Sequence, residues 1–246
     1  MRFKVLLGLA YLLAAPAAFG ACHHGSAQAG KVTIKALGGS SFEIISPGGV
    51  RVVTDFAGLT PLAPMPDIVT MNHDDKRHYT QSPDRRIPHV LHGWAEDGKT
   101  PSIDLTVKDM HVTNVATPFE VERGQPDAFG SSIFVFETAG ICIAQIGHLT
   151  DILHDEEETR VGDVDVLLLP ISQENTDFLQ NAAAVVEQFQ PRVLIPIEYA
   201  SRNRLDMFLK MEAGTYKVEE KNTRSLTVSR DRLPDDTTVI VLKSAK

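Results

Sequence analysis

The chain has 246 residues, of which 43% are hydrophobic and 23% charged, values of one large globular domain rather than of a disordered or fibrous protein. Acidic residues outnumber basic ones 32 to 24, and the formal charge of −8 opposes nonspecific binding to nucleic acid. No internal repeat or low-complexity block follows the first thirty residues.

The N-terminus reads as an export signal. Arg2 and Lys4 precede an apolar, Ala/Leu-rich stretch from Val5 to Ala21, and Pro16 and Gly20 within it argue against a stable membrane-spanning helix. Two processing sites compete. Ala27-Gln28-Ala29 is a small-x-small site that makes residues 1–29 the signal peptide and 30–246 the domain. Phe19-Gly20-Ala21-Cys22 is an imperfect lipobox that ends the signal before Cys22 and acylates that cysteine. The first leaves the protein periplasmic or secreted; the second anchors it to a membrane through its lipid, the sole membrane contact expected. Removing Arg2 and Lys4 takes the formal charge from −8 to −10. Cys142 then stands alone in the apolar run Ile141-Cys142-Ile143-Ala144, where a thiol acts as a small buried hydrophobe, so no disulfide is expected.

Short strands separated by glycine turns follow: Val32–Ala36, Phe42–Ser46, Val50–Thr54 and Ile68–Met71, with Pro47-Gly48-Gly49 turning between the second and third. His89 and His92 flank Val90-Leu91 as strand or loop positions. Further strands are predicted at Ile103–Val107, His111–Val115, Ile133–Glu137 and Ile141–Ile146. His154 precedes Asp155-Glu156-Glu157-Glu158, the acidic first turn of a short helix, where negative charge is favourable.

The periodicity then lengthens. After the buried run Val164–Pro170, residues 176–189 place Phe178, Ala182, Val185, Val186 and Phe189 on one helical face, and Arg192–Ile197 is another buried strand. The two buried strands of this strand-helix-strand unit should be parallel. A helix near 202–212 and strands at 216–219, 225–229 and 238–242 complete the chain. Antiparallel meanders followed by a late strand-helix-strand unit predict an α/β fold of two sheets packed face to face, with helices outside and functional residues on loops along one rim.

Along the chain stand, in order, Ala36-Leu37-Gly38-Gly39-Ser40-Ser41-Phe42, a strand ending in Thr54-Asp55, Asp67-Ile68-Val69-Thr70 running into the loop Met71-Asn72-His73-Asp74-Asp75-Lys76-Arg77-His78, then Gly147-His148-Leu149, Asp163–Pro170 and Ile195-Pro196-Ile197-Glu198-Tyr199. This ordered set resembles the metallo-β-lactamase superfamily, and most closely its ascorbate-6-phosphate lactonase-like branch of metal-dependent hydrolases. It implies a four-layer αββα sandwich of two mixed sheets, with a zinc or manganese centre at the sheet rim. The metal residues it implies are His73, Asp75, His78, His148, Asp151 and Glu198.

The same positions depart from the family's dinuclear pattern. The family loop reads H-x-H-x-D-H; here Asp75 replaces its middle histidine and Arg77 its aspartate, and a guanidinium cannot be a ligand. Phe119 stands where lactonase-type relatives carry a histidine, His148 and Asp151 appear in exchanged order, and Glu198 replaces the last histidine. Glu198 could equally pair with Arg77 or Arg202, in which case Arg77 would fill the place of a second metal. Two functions follow. One is an exported, divergent metal-dependent hydrolase of a small ester, lactone or phosphorylated compound. The other is a non-catalytic binding or scaffold protein that keeps the fold without the dinuclear site. No glycine-rich phosphate loop or G-x-S-x-G elbow is present.

Overall fold

Fourteen described strands assemble into two mixed sheets in a computed structural model, which describes residues 20–22, 29–59, 61–121, 125–147, 152–172 and 176–243, with side chains masked over 119–129 and 176–177. The first sheet contains β1 (Val32–Gly38), β2 (Ser41–Ile45), β3 (Arg51–Val53), β4 (Ile68–Met71), β5 (His89–His92) and β13 (Ser225–Val228), in the order β13-β1-β2-β3-β4-β5. The second contains β6 (Asp104–Val107), β7 (Met110–Val121), β8 (Gln125–Thr138), β9 (Ile141–Gln145), β10 (Val166–Pro170), β11 (Val193–Ile197), β12 (Lys217–Glu220) and β14 (Thr238–Val241), in the order β12-β14-β11-β10-β9-β8-β7-β6.

Side-chain alternation builds the layers. On β1, Val32, Ile34 and Ala36 are buried while Thr33 and Lys35 are partly exposed, the pattern of a strand with one face on the core. On β10 every residue is buried, with Val166 and Leu168 between the sheets and Leu167 and Leu169 on the opposite face. Phe134 and Phe136 of β8 also fill the space between sheets, their ring centroids 6.3 Å apart.

The outer face of the larger sheet is covered by α1 (Asp155–Val161), α2 (Thr176–Phe189) and α3 (Arg202–Met211). The α2 bounds match the sequence reading, and Phe178, Ala182, Val185 and Val186 are buried as expected, together with Leu179. α1 begins as its acidic first turn suggests, with the backbone N–H of His154 donating to Glu157 Oε2 at 3.0 Å. The expected parallel pairing of β10 and β11 is observed, Val166 opposite Val193 through Pro170 opposite Ile197. The outer face of the smaller sheet carries Val53, Val69 and Met71 under loop residues such as Phe56, Ile87 and Met65, and no helix covers it among the described residues. The sandwich is therefore helix-covered on one side and loop-covered on the other.

Two readings need correction. The hairpin β7–β8 extends well beyond the expected strands His111–Val115 and Ile133–Glu137, running through Pro118, Pro126 and Gly130; a register irregularity between Thr117 and Phe119 absorbs Pro118. Cys142 is not a lone thiol: it is bonded to Cys22, with Cα atoms 5.7 Å apart, across 120 residues of sequence. Counting Cys22 as discarded or acylated removed it from the cysteine inventory before pairing could be weighed.

Candidate metal centre

The site lies at one rim, where strand ends from both sheets meet. β4 delivers the loop that begins at Asn72, β3 delivers Asp55, the β1–β2 turn delivers Ser40, and β11 delivers Glu198. Neighbouring elements hold this rim. Gln145 at the end of β9 donates from Nε2 to the carbonyl of Ser40 at 2.9 Å, and the backbone N–H of Glu198 donates to the carbonyl of Gly39 at 3.3 Å. Gly147 has no room for a side chain, since a Cβ there would lie 2.5 Å from Ser131 Oγ and 2.6 Å from the Ser132 carbonyl. At the far end of the loop Tyr79 meets Trp94 edge-on, and Trp94 stacks on His92 with centroids 4.5 Å apart.

His78 is the hub. Its ring is buried, and Nδ1 lies 2.6 Å from Asp55 Oδ2, with Ser40 Oγ 3.4 Å from the same nitrogen. A carboxylate beside Nδ1 favours a proton on that nitrogen, so Nε2, which faces the opposite way, is the nitrogen that loses its proton first. Glu198 Oε1 stands 3.4 Å from Nε2, at ion-pair distance but outside hydrogen-bond alignment, and among the described residues Nε2 has no hydrogen-bond partner. His73 is also buried, its ring centroid 4.1 Å from that of His78. Burial pushes the His78 pKa down, but Asp55 and Glu198 overcome it and hold the imidazole up at about 10. Burial raises Asp55 as well, against the hydrogen bond from His78.

The backbone marks the same residues. Asp55 and Glu198 are two of six non-glycine residues with positive φ among the described residues, at 50° and 55°, and both carboxylates face His78. A left-handed glutamate is held against its steric preference, a feature that concentrates at functional sites.

The side chains of Asp75 and Arg77 pair with each other at the edge of this centre, and the Asp75 backbone N–H donates to His73 Nδ1 at 3.4 Å. Asp75 Oδ1 accepts from both the backbone N–H and Nε of Arg77, each at 2.9 Å, and the Arg77 side chain is 74% exposed. That hydrogen bond holds the Asp75 carboxyl down at about 2. The expected contacts of Glu198 with Arg77 or Arg202 are not made: Arg77 takes Asp75, Arg202 takes Glu220 and Asp206, and Glu198 faces His78. His148 and Asp151 lie outside the described residues. Of the six predicted metal residues, the structure therefore brings His73, His78 and Glu198 together. Sequence reasoning quoted Asp55 and Ser40 within the family pattern but gave them no role, although an aspartate just after a strand end was the available signal.

Among these residues, His78 and Glu198 offer one pair of donors at the spacing of ligands to a single ion. Two donors bound about 2.0–2.1 Å from a tetrahedral zinc lie roughly 3.4 Å apart, the separation of His78 Nε2 and Glu198 Oε1. A carboxylate on the far nitrogen is the usual support of a metal-binding histidine. Among the described residues, however, no three His, Cys, Asp or Glu side chains form a complete ligand group. A cleft of about 560 Å³ opens over His78 and Glu198, walled by Leu37, Phe56 and Tyr199 with Arg77 also lining it.

A family model for the beta-lactamase superfamily domain matches residues 33–198. The chain belongs to the metallo-β-lactamase superfamily. Among solved structures it is similar to a protein from Thermotoga maritima described as a zinc-dependent hydrolase of this superfamily, 22% identical over 87% of this chain and 100% of that one, with a TM-score of 0.62. It is also similar to Igni18, a metallo hydrolase from Ignicoccus hospitalis, 17% identical over 81% of this chain and 98% of that one, with a TM-score of 0.57. At such identities the likeness is one of fold. A UPF0173 protein of Pyrococcus furiosus is 35% identical over 63 residues, a stretch that spans 25% of this chain and 30% of that relative.

Proposed function

We propose that the protein is a hydrolase that depends on one metal ion, zinc or manganese, and acts on a small ester, lactone or phosphorylated compound. The observation that carries this reading is His78: its Nδ1 is held by Asp55 at 2.6 Å while Nε2 faces Glu198 at 3.4 Å beneath the cleft. His78 and Glu198 would hold the ion with His73 beside them, and His148 or Asp151 would be expected to complete the set. When bound, such an ion lowers the pKa of its water to roughly 7 and polarises a carbonyl or phosphoryl oxygen. Asp55 keeps the Nδ1 proton of His78 in place, so that Nε2 stays oriented for ligation. Arg77 lines the cleft, and its charge would receive an anionic or carbonyl-bearing group of the substrate. Leu37 and Phe56 give the cleft an apolar part that would receive the hydrocarbon portion of the substrate.

The test is metal content by plasma mass spectrometry of the wild type and of His78→Ala and Glu198→Gln, after loading with zinc or manganese and dialysis. About one ion per wild-type chain, lost in both variants, would support the centre. An esterase, lactonase and phosphodiesterase screen of the loaded protein then reads turnover. No retained ion in the wild type would sink the proposal.

One observation favours a second reading, a binding module without turnover. Protonated His78 already lies between the carboxylates of Asp55 and Glu198, so its positive charge offsets one of them without a metal, and the place of the family's second-metal aspartate is taken by Arg77. This reading expects full folding in chelator and no retained metal.

A further inference from the structure

The strap at Gly20–Cys22 is built into the domain. The backbone N–H of Ala21 donates to the Arg160 carbonyl at 2.7 Å, that of Cys22 to the Val161 carbonyl at 2.9 Å, and Cys22 pairs with Gly162 in a parallel bridge. Gly20 fits against the end of α1 so closely that a Cβ would lie 2.7 Å from Gly162 Cα and 2.8 Å from the Thr159 carbonyl. Cys22 is 8% exposed and Cys142 fully buried, both within the core between the larger sheet and its helices, and they are the chain's two cysteines. Their bond ties the strap to β9, the strand whose opposite end supports the rim through Gln145.

We infer that the exported chain is cut upstream of Cys22, within 15–20, and that the mature protein carries Cys22–Cys142 as a structural disulfide. Two small-x-small sequences lie in that window, Ala15-Pro16-Ala17 and Ala18-Phe19-Gly20; the fit of Gly20 against α1 favours the first, which leaves Ala18 as the new N-terminus. A cut after Ala29 would discard the strap. It would leave Cys142 as a single thiol in the core and remove the donors to the Arg160 and Val161 carbonyls. Acylation at Cys22 would consume the sulfur that the bond needs. The two thiols lose two protons and two electrons in forming the bond, and a protein disulfide of the oxidising compartment accepts them by exchange, being reduced to a dithiol.

The full-length chain, expressed with its own N-terminus in a bacterial host, is recovered from the periplasm and its intact mass read before and after reduction. The expected product starts between Ala18 and Ala21 and gains two hydrogens on reduction. It takes up no iodoacetamide in denaturant until reduced, and then takes up two equivalents. A start at Gly30, a diacylglyceryl group on Cys22, an uncut chain or two reactive thiols without reductant would each overturn the inference. A second readout is independent of processing. Reductant should lower the melting temperature of the wild type to that of Cys22→Ser and leave Cys22→Ser unchanged, whereas a wild type indifferent to reductant would count against the bond.

Discussion

Asp55 Oδ2 lies 2.6 Å from His78 Nδ1, and this contact decides which imidazole nitrogen faces the cleft. The amide of an Asp55→Asn variant could keep a hydrogen bond to Nδ1 but not the negative charge that favours the correct tautomer and basicity. The substitution should therefore weaken zinc or manganese binding by about 10–100-fold, the usual loss when such a supporting carboxylate is removed. Competition with a chromophoric chelator measures it; an unchanged affinity would show that Asp55 does not act on the metal through His78.

The same pair sets a pH dependence. In the metal-free protein the His78 pKa stands at about 10, against 6.5 for a free imidazole, because Asp55 and Glu198 outweigh burial. A group raised on folding contributes stability in full below its unfolded pKa and loses it as pH rises through the folded one. Burial raises the Asp55 carboxyl, so its own ionisation costs stability as pH climbs above 3.8, the ordinary value, apart from the His78 window. The melting temperature in chelator should therefore fall as pH climbs from 6.5 towards 10, by about 2–4 °C for each kcal/mol lost in a domain of this size. His78→Gln should lack that fall. A metal must displace the same proton, so zinc uptake should strengthen over that interval.

Arg77 offers a contrast. An arginine bonded to Glu198 in the place of a second metal would be costly to remove. The observed partner is Asp75, two residues away on the surface, with the Arg77 side chain 74% exposed and that of Asp75 39% exposed. Exposed pairs contribute about 0–1 kcal/mol. Arg77→Ala should accordingly leave urea-unfolding stability within about 1 kcal/mol of the wild type, and any larger loss would mean that Arg77 engages Glu198 in solution.

The strands and α2 were legible because their signals are local. The 3.6-residue spacing of Phe178, Ala182, Val185 and Val186 needs no tertiary knowledge, nor does the apolar run of β10. The long β7–β8 hairpin was not, because Pro118 and Gly130 break a strand pattern locally while cross-strand pairing carries it through. At the site, His73 and His78 could be read from the loop itself. Glu198 and Asp55 converge on His78 from β11 and β3 of different sheets, a meeting that only the topology reveals. The pairing of Asp75 was equally hidden, because a ligand-type residue in a loop pattern does not reveal that Arg77, two positions on, is close enough to bond its Oδ1. The disulfide was hidden by the signal-like composition around Cys22.

Glu198 also provides a test of strain at the site. Its φ of 55° places a side chain where the backbone favours glycine, immediately after a fully buried strand. Glu198→Ala and Glu198→Gly remove the same carboxylate from His78, so both should lose metal to a similar extent. They differ in backbone cost, since alanine keeps the left-handed penalty and glycine escapes it. Urea unfolding should find the glycine variant more stable than the alanine variant by about 1–2 kcal/mol, even though glycine elsewhere weakens a fold by roughly 0.5–1 kcal/mol relative to alanine. Equal stabilities, or an advantage for alanine, would mean that the chain relaxes this backbone once the carboxylate is gone, and that the strain belongs to the Glu198–His78 contact rather than to the turn.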